Sequence, residues 1–463
     1  MNVVSTMLGI ARALPRSAVA SWKIRTLGSD ATSVSPRELE LLLQVSRLEG
    51  KLAEAEAHLP PRTEPARITN WEELAFGILP TNGHVRHTWS SKTSSWDAGR
   101  FIRDPYMNMH IHAGVLHYGM TLFEGCKAFR CADGRIRVCN LDENSARMNT
   151  GAARLVMAPV PKKMFNKAID WAVRANAEFV PPYGSGGSMY IRPFLMGSGP
   201  ILGLQPCPEF TFMVAVTPVG NYFGKGVQSG VHAVICQDFD RAAPRGTGGV
   251  KAGGNCARRG RPPSNHARSG ERAAISLPCR LPVSLSLLPA SLSLSLSCAS
   301  FIRACVWVSA YGRCADAADL LPLKLAKAGG FGTTLYLDAK ENQYVEEFSV
   351  SNFLGITKNG EYVTPHSPSI LPSITNKMLM QLAKDKGLTV QPRPVSWEEV
   401  KTMDEVGACG TATVVAPIAS ITDGDVKYEF GKFEVLNELR KTLMAIQLGE
   451  EEDRHGWMRE VEI

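Results

Sequence analysis

Two ten-residue runs, SMYIRPFLMG (188–197) and FTFMVAVTPV (210–219), restrict what this chain can fold into more than any other feature. Both are rich in β-branched and aromatic residues and read as strands buried in a sheet. Before them, GRIRVCNLDENSARMNTGAARLV (134–156) passes from an alternating strand to an amphipathic helix with Asp142 near its start. Residues from about Trp71 to Gly220 therefore mix strands with helices. VGNYFGKG (219–226) then supplies turn chemistry suited to a link.

A second α/β unit opens with VHAVICQDF (231–239). It continues through a helix in ADLLPLKLAKAGG, closed by Gly329 and Gly330, and strands in TTLYLDA and YVEEFSVSNFLGI. A further helix, LPSITNKMLMQLAKDKG, starts after a proline and stops at Gly387. The strand pair EVGACGTATVVAPIASI and the helix FEVLNELRKTLMAIQLG complete the unit. The fold class is α/β (α+β), with a small domain over 68–220, a linker over 221–230 and a larger domain over 231–448. No internal repeat is visible.

The formal charge of +7 would suggest a nucleic-acid or membrane-surface partner if it were spread over a face. It is not. Residues 256–315 hold eight arginines, no lysine and one acid, Glu271, and so carry the whole excess. Five of the eleven cysteines lie there too. The other six have neither a C-x-x-C pair nor a zinc spacing, which points to a reducing compartment and no metal. No apolar run reaches the roughly 18–20 residues of a membrane helix. Neither nucleic acid nor membrane is expected as a partner.

Residues 1–29 contain Arg12, Arg16, Lys23 and Arg25 and no acid, the composition of an organelle transit peptide. A mitochondrion is expected ahead of a plastid. Beyond it, Leu41, Val45, Leu48 and Leu52 fall at helical spacing, with Ser35 placed to cap and Pro36 in the first turn. They predict a helical extension over 35–60.

GGVKAGGN (248–255) places Lys251 among small residues. A lysine deprived of water there loses charge more readily and can attack an aldehyde. Pyridoxal phosphate chemistry needs two further things: an acid for the ring nitrogen, and a phosphate cradle. Glu346 and Glu347 stand next to each other on a strand, so alternation sends one inward and the other out. Ile374 and Thr375 lie in the first turn of a helix, and Gly410 and Thr411 in a tight turn.

LHYGMTLFEGCKAF, LDENSARM, YIRPFLMGSGPILGL, PVGNYF, KAGGN, VEEFSVSNF, LPSIT and GTAT, in this order, resemble the branched-chain amino acid aminotransferases, a class IV pyridoxal phosphate family. The resemblance runs from about Trp71 to Leu448. It implies a two-domain fold-type IV enzyme with pyridoxal 5'-phosphate between a small and a larger domain. The implied reaction is ping-pong transamination of leucine, isoleucine and valine with 2-oxoglutarate, giving branched 2-oxo acids and L-glutamate.

Residue by residue, Lys251 matches the lysine that bonds the cofactor and moves the α-proton. Glu347 matches the ring-nitrogen partner, five residues before Asn352. Arg147 matches the phosphate-pairing side chain, and Ile374, Thr375, Gly410 and Thr411 complete the cradle. Phe123, Tyr190 and Tyr222 match the wall around the aliphatic substrate. Arg192 matches the residue that admits glutamate's distal carboxylate, and Ala412 the backbone site for the α-carboxylate. Tyr118 matches a tyrosine given across a homodimer interface.

Two departures stand out. A redox C-x-x-C carried by vertebrate members is replaced here by Thr413 and Ala416. The tyrosine that follows the lysine by five residues in the family is Cys256, the first residue of 256–315. That low-complexity segment, with its SLSLLPASLSLSLS, reads as a translated intron. Two other class IV activities, a D-amino acid transaminase and an aminodeoxychorismate lyase, are alternatives, as is a chain inactivated by the insertion.

Overall fold

The computed structural model describes Arg37 and residues 64–220, 230–253 and 320–463. The leader over 1–29, the extension over 35–60 apart from Arg37 (a helical residue), Tyr222 with the linker over 221–229, and segment 256–315 lie outside the described residues. The chain divides into two compact units, Met1–Arg62 and Thr63–Ile463. Of the first, Arg37 alone is described.

Among the described residues of the second unit, the first nine-stranded sheet takes β1 (His84–Ser90), β2 (Ser95–Trp96), β3 (Arg100–Ile102), β4 (Thr121–Phe123), β5 (Cys126–Arg130), β6 (Ile136–Cys139), β7 (Ser188–Gly197) and β8 (Glu209–Val219). The two runs that dominate the sequence are its centre: β7 and β8 pair antiparallel without interruption from Ser188↔Val219 to Gly197↔Phe210. On its other edge β7 changes neighbour. Met189–Ile191 pair with β5, and Phe194–Met196 pair with β4. Pro193, which has no N–H to offer, sits at that changeover, where its carbonyl accepts from the Glu124 amide at 2.7 Å. Helices α1 (Gly114–Tyr118), α2 (Leu141–Arg154) and α3 (Lys162–Arg174) belong to this half. The apolar stripes of α2 and α3 share one core with the sheet, including Leu122, Met148, Phe165, Ile169 and Phe212.

The second sheet is built from β9 (Val231–Ile235), β10 (Thr333–Leu337), β11 (Val345–Phe348), β12 (Ser351–Ile356), β13 (Tyr362–Pro365), β14 (Val390–Arg393), β15 (Glu405–Gly410), β16 (Val414–Asp423) and β17 (Val426–Glu429). Its order is β11-β10-β9-β16-β15-β12-β13-β14, and an additional β11–β12 pairing closes six strands into a ring. The run YVEEFSVSNFLGI is thus two strands rather than one, broken at Ser349 and Val350. β18 (Met458–Glu460) returns to the first sheet beside β6.

Helix α4 (Leu320–Ala328) ends as expected at a glycine pair, with Gly330 at φ +85°. α5 (Ile374–Asp385) is capped by Ser373, whose side chain accepts from the Asn376 amide. α6 (Trp397–Val400) is a single turn, and α7 (Glu434–Leu448) stops at Gly449 in the left-handed region. The apolar faces of α5 and α7 bury Leu379, Leu439 and Leu443 against Leu354 and Val415 of the second sheet and Phe129 of the first.

Candidate functional site

The segment carrying Lys251 lies alongside β4. Ala252 bridges Leu122 antiparallel, the Phe123 amide donates to the Lys251 carbonyl at 3.1 Å, and the Gly253 amide donates to the Thr121 carbonyl at 3.0 Å. Extended pairing alternates side chains, so Val250 and Ala252 enter the core while Lys251 turns the other way. The result differs from a lysine sealed among small residues. Lys251 is half-buried, with Nζ 4.5 Å from the centre of the Phe123 ring. The Arg192 guanidinium lies 4.7 Å from the same ring and 5.1 Å from that of Tyr190, whose hydroxyl accepts from Nη2 at 3.2 Å. Burial raises the Tyr190 pKa, although Arg192 opposes it, so the phenol stays neutral. A Cβ on Gly125 would collide with the Tyr190 hydroxyl, which is why this corner has no side chain.

Arg147 faces the site from α2. One turn later Gly151 lets the helix approach β4, since an added Cβ would meet Leu122 at 2.7 Å. The Arg147 guanidinium is held by the fully buried Glu124, and Nη1 donates to the Pro372 carbonyl at 2.8 Å. That last bond joins α2 to the segment entering α5. Ser373 takes the Asn376 amide, so the amides of Ile374 and Thr375 are the first-turn donors suited to an anion. The neighbouring Leu371 amide donates to Glu347 Oε1 at 3.1 Å.

Glu347 is 3% exposed and surrounded by donors: Arg241 Nη1 is 2.6 Å from Oε1 and Asn352 Nδ2 is 3.2 Å from Oε2. Glu346 corrects the expectation of an outward-facing neighbour, because it is itself only 5% exposed. The reason is a β-bulge. Leu335 pairs with Phe348 and Leu337 with Val345, so Glu346 and Glu347 together oppose the single residue Tyr336. The extra residue cancels the alternation on which the expectation rested. Burial pushes the Glu346 pKa up to about 7.

The third edge is the turn between β15 and β16, closed by the pair Gly410↔Val414. Thr411 donates through its hydroxyl to the Gly125 carbonyl at 3.3 Å, and the Ala412 carbonyl accepts from Lys127 Nζ at 2.9 Å. The turn is fixed at two points to the start of β5. Val414 has a φ of +63°, a costly value for a β-branched residue, where the chain twists back into the hairpin. Burial lowers the Lys127 pKa to about 8, helped by Arg440.

Lys251, Phe123, Tyr190, Arg192, Arg147, Glu347, Ile374, Thr375, Gly410, Thr411 and Ala412 are thus linked through these contacts. Tyr118 stands apart: it is 40% exposed at the end of α1, and its hydroxyl donates to the Leu202 carbonyl. Sequence reasoning missed Glu124, Lys127 and Arg241. The first two lie inside the quoted FEGCK stretch, where a buried acid and base were readable only as a pattern. Arg241 carries no motif signal, and its importance comes from where the loop after β9 ends.

A family model described as Amino-transferase class IV matches residues 300–421. A branched-chain-amino-acid aminotransferase of Helicobacter pylori is 34% identical over 394 residues, covering 85% of this chain and 98% of that protein. Branched-chain-amino-acid aminotransferase 5, chloroplastic, of Arabidopsis thaliana is 34% identical over 401 residues, covering 85% and 80%. Among solved structures, the branched-chain amino acid aminotransferase of Thermobaculum terrenum in its PLP-form matches with a TM-score of 0.56 and 18% identity. The match covers 83% of this chain and 100% of that one, a likeness of fold. The plant relatives correct the preference for a mitochondrion over a plastid, since both the one above and a second at 34% identity are named chloroplastic.

Proposed function

The chain belongs to the branched-chain-amino-acid aminotransferases, transferases of amino groups on branched-chain amino acids, and from that premise we propose how its own site performs the reaction. The proposed cofactor is pyridoxal 5'-phosphate. When bound, it supplies an aldehyde that takes up the amino group and a ring that draws electrons from the substrate's α-carbon.

The residues fit that group. Arg147 uses three of its five N–H groups on Glu124 and Pro372, which leaves two for phosphate oxygens beside the Ile374 and Thr375 amides and the Thr411 turn. Glu347, which accepts from Arg241, the Leu371 amide and Asn352, would hold the proton of a ring nitrogen. Lys251 would hold the cofactor, and its amine would be the group that moves the substrate's α-proton. The Thr411–Ala412 backbone orients the α-carboxylate.

Phe123 and Tyr190 exclude water from the aliphatic side chain. Arg192 Nε is buried and meets no acceptor among the described residues, a donor for the distal carboxylate of 2-oxoglutarate or glutamate. The same pocket then serves both halves of a ping-pong cycle. The observation that carries this reading is the Phe123 ring, with Lys251 and Arg192 at 4.5 and 4.7 Å from its centre. An aliphatic group has a wall there, and a carboxylate has a cation.

We further propose a homodimer, with the two sheets as small and large domains of each copy. Tyr118, Ile111, Leu116, Leu202 and Leu204 are exposed, and a second copy covering them would receive Tyr118. Sedimentation of the full chain reads this directly.

Titration of the full chain with pyridoxal phosphate should produce a visible absorbance band that Lys251→Ala lacks. L-leucine should bleach the band and 2-oxoglutarate restore it. Bleaching by D-amino acids instead, or no band at all, would sink the proposal.

A further inference from the structure

Glu346 has no part in the chemistry above, yet it is buried beside it. Among the described residues, its Oε2 meets no hydrogen-bond partner. An orphaned carboxyl oxygen in a dry place calls for an explanation. The groups that act on Glu346 come from four places: Arg241 after β9, Glu347 on its own strand, Asp338 after β10, and Ser369 before α5. Arg241 also donates to the Ser369 carbonyl at 3.2 Å, so one guanidinium serves the whole cluster.

Two carboxyls and one guanidinium cannot all stay charged there without leaving a net buried negative charge, and a shared proton relieves it. The geometry decides which carboxyl takes that proton. Glu347 accepts from Arg241 at 2.6 Å, from the Leu371 amide at 3.1 Å and from Asn352 at 3.2 Å. All three donors favour its ionised form. Glu346 has an oxygen that no donor among the described residues reaches.

We propose that Glu346 is a positioning residue that holds the proton of this pair and so leaves Arg241 to Glu347 alone. When Glu346 ionises, Arg241 is shared between two carboxylates and Glu347 loses its fixed place. The inference rests on the reading of Glu347 as ring-nitrogen partner. The β-bulge is what makes it possible, because an unbroken strand would have sent Glu346 to the opposite face.

The test uses the full chain and E346Q, with E346M as a second variant that also removes the titrating group. Without cofactor, the melting temperature is followed against pH. The folded pKa is raised, so the folded state keeps a proton that the unfolded chain releases. The stability this gives is complete below the unfolded value and lost as pH rises through about 7. The wild-type melting temperature should therefore fall by a few degrees relative to E346Q between about pH 5 and about pH 8. With pyridoxal phosphate, the wild-type rate of leucine-driven bleaching should fall about tenfold from pH 6 to pH 8, following the protonated fraction one unit above a pKa of about 7. E346Q and E346M should lose less than about twofold over that range.

A constant melting difference, or superimposable pH profiles in a chain that shows the absorbance band, would overturn the role of Glu346 alone. A wild-type chain with no band would overturn the functional reading and this role with it.

Discussion

Arg147 and Glu124 meet at two points, Nε to Oε1 at 2.8 Å and Nη2 to Oε2 at 2.7 Å, and Glu124 has no exposed surface. The pair ties α2 to the residue that follows β4. It also fixes the plane of the guanidinium, whose remaining donors are the ones proposed for a phosphate. Glu124→Gln leaves the buried arginine without a counter-charge, and such a loss costs about 3–5 kcal/mol. The double variant E124Q/R147M should recover part of that loss, because no uncompensated charge remains. Urea unfolding of all three chains measures this. Additive costs would show that the two residues do not act as a pair.

Glu347→Ala should lower leucine turnover about 100- to 1,000-fold, the range for losing one preorganised electrostatic partner at a reacting centre. Cofactor affinity should fall much less, because the phosphate contacts are elsewhere. Single-turnover bleaching separates the two effects. An equal loss in affinity and rate would mean that Glu347 holds the fold of the Arg241 cluster rather than the ring nitrogen.

The architecture was largely legible in the sequence, and the reason lies in particular elements. β7 and β8 declared themselves as long runs of β-branched and aromatic residues, and α5 because a proline precedes it and Gly387 follows it. What escaped were features without local pattern. The bulge at Glu346 and Glu347 depends on how β10 pairs, which no period of two can reveal. Lys127 looks like an ordinary strand lysine until the Ala412 carbonyl comes to meet it from 285 residues away. Strand alternation was the wrong guide at Glu346, which is buried next to Glu347 at a shift in register.

Arg192→Ala should separate the half-reactions. Turnover of 2-oxoglutarate and glutamate should fall about 10- to 100-fold, as expected for losing a charge-assisted hydrogen bond of about 1.5–3 kcal/mol. The leucine half-reaction should stay within a few-fold, since leucine has no distal carboxylate. Arg192→Met, which keeps the stem over Phe123 and Tyr190, distinguishes charge from packing. A uniform loss in Ala that Met restores would make Arg192 a packing residue.

Cys256 stands where the family resemblance implies a cofactor-bonding tyrosine. The Lys251 segment is followed against β4 as far as Gly253, and the described chain resumes at Leu320 in α4. The reading of 256–315 as a translated intron joins these ends in a definite way. Cys256 can be written T-GT, whose last two bases open an intron, and Ala315-Asp316 can be written GCA-G-AC, which contains the AG that closes one. Excision joins T to AC, a tyrosine codon, and the text becomes KAGGN, tyrosine, AADLLPLKLAKAGG. The bases removed equal sixty codons, so the frame survives. Serine and leucine, which make up most of SLSLLPASLSLSLS, can both be written with the pyrimidines that precede a splice acceptor. The shorter chain should bind pyridoxal phosphate more tightly than the chain as written, because a phenol returns five residues after Lys251. Changing that tyrosine to phenylalanine should remove most of the gain. Other codons at the two junctions, or equal cofactor affinity in both chains, would refute the splice reading.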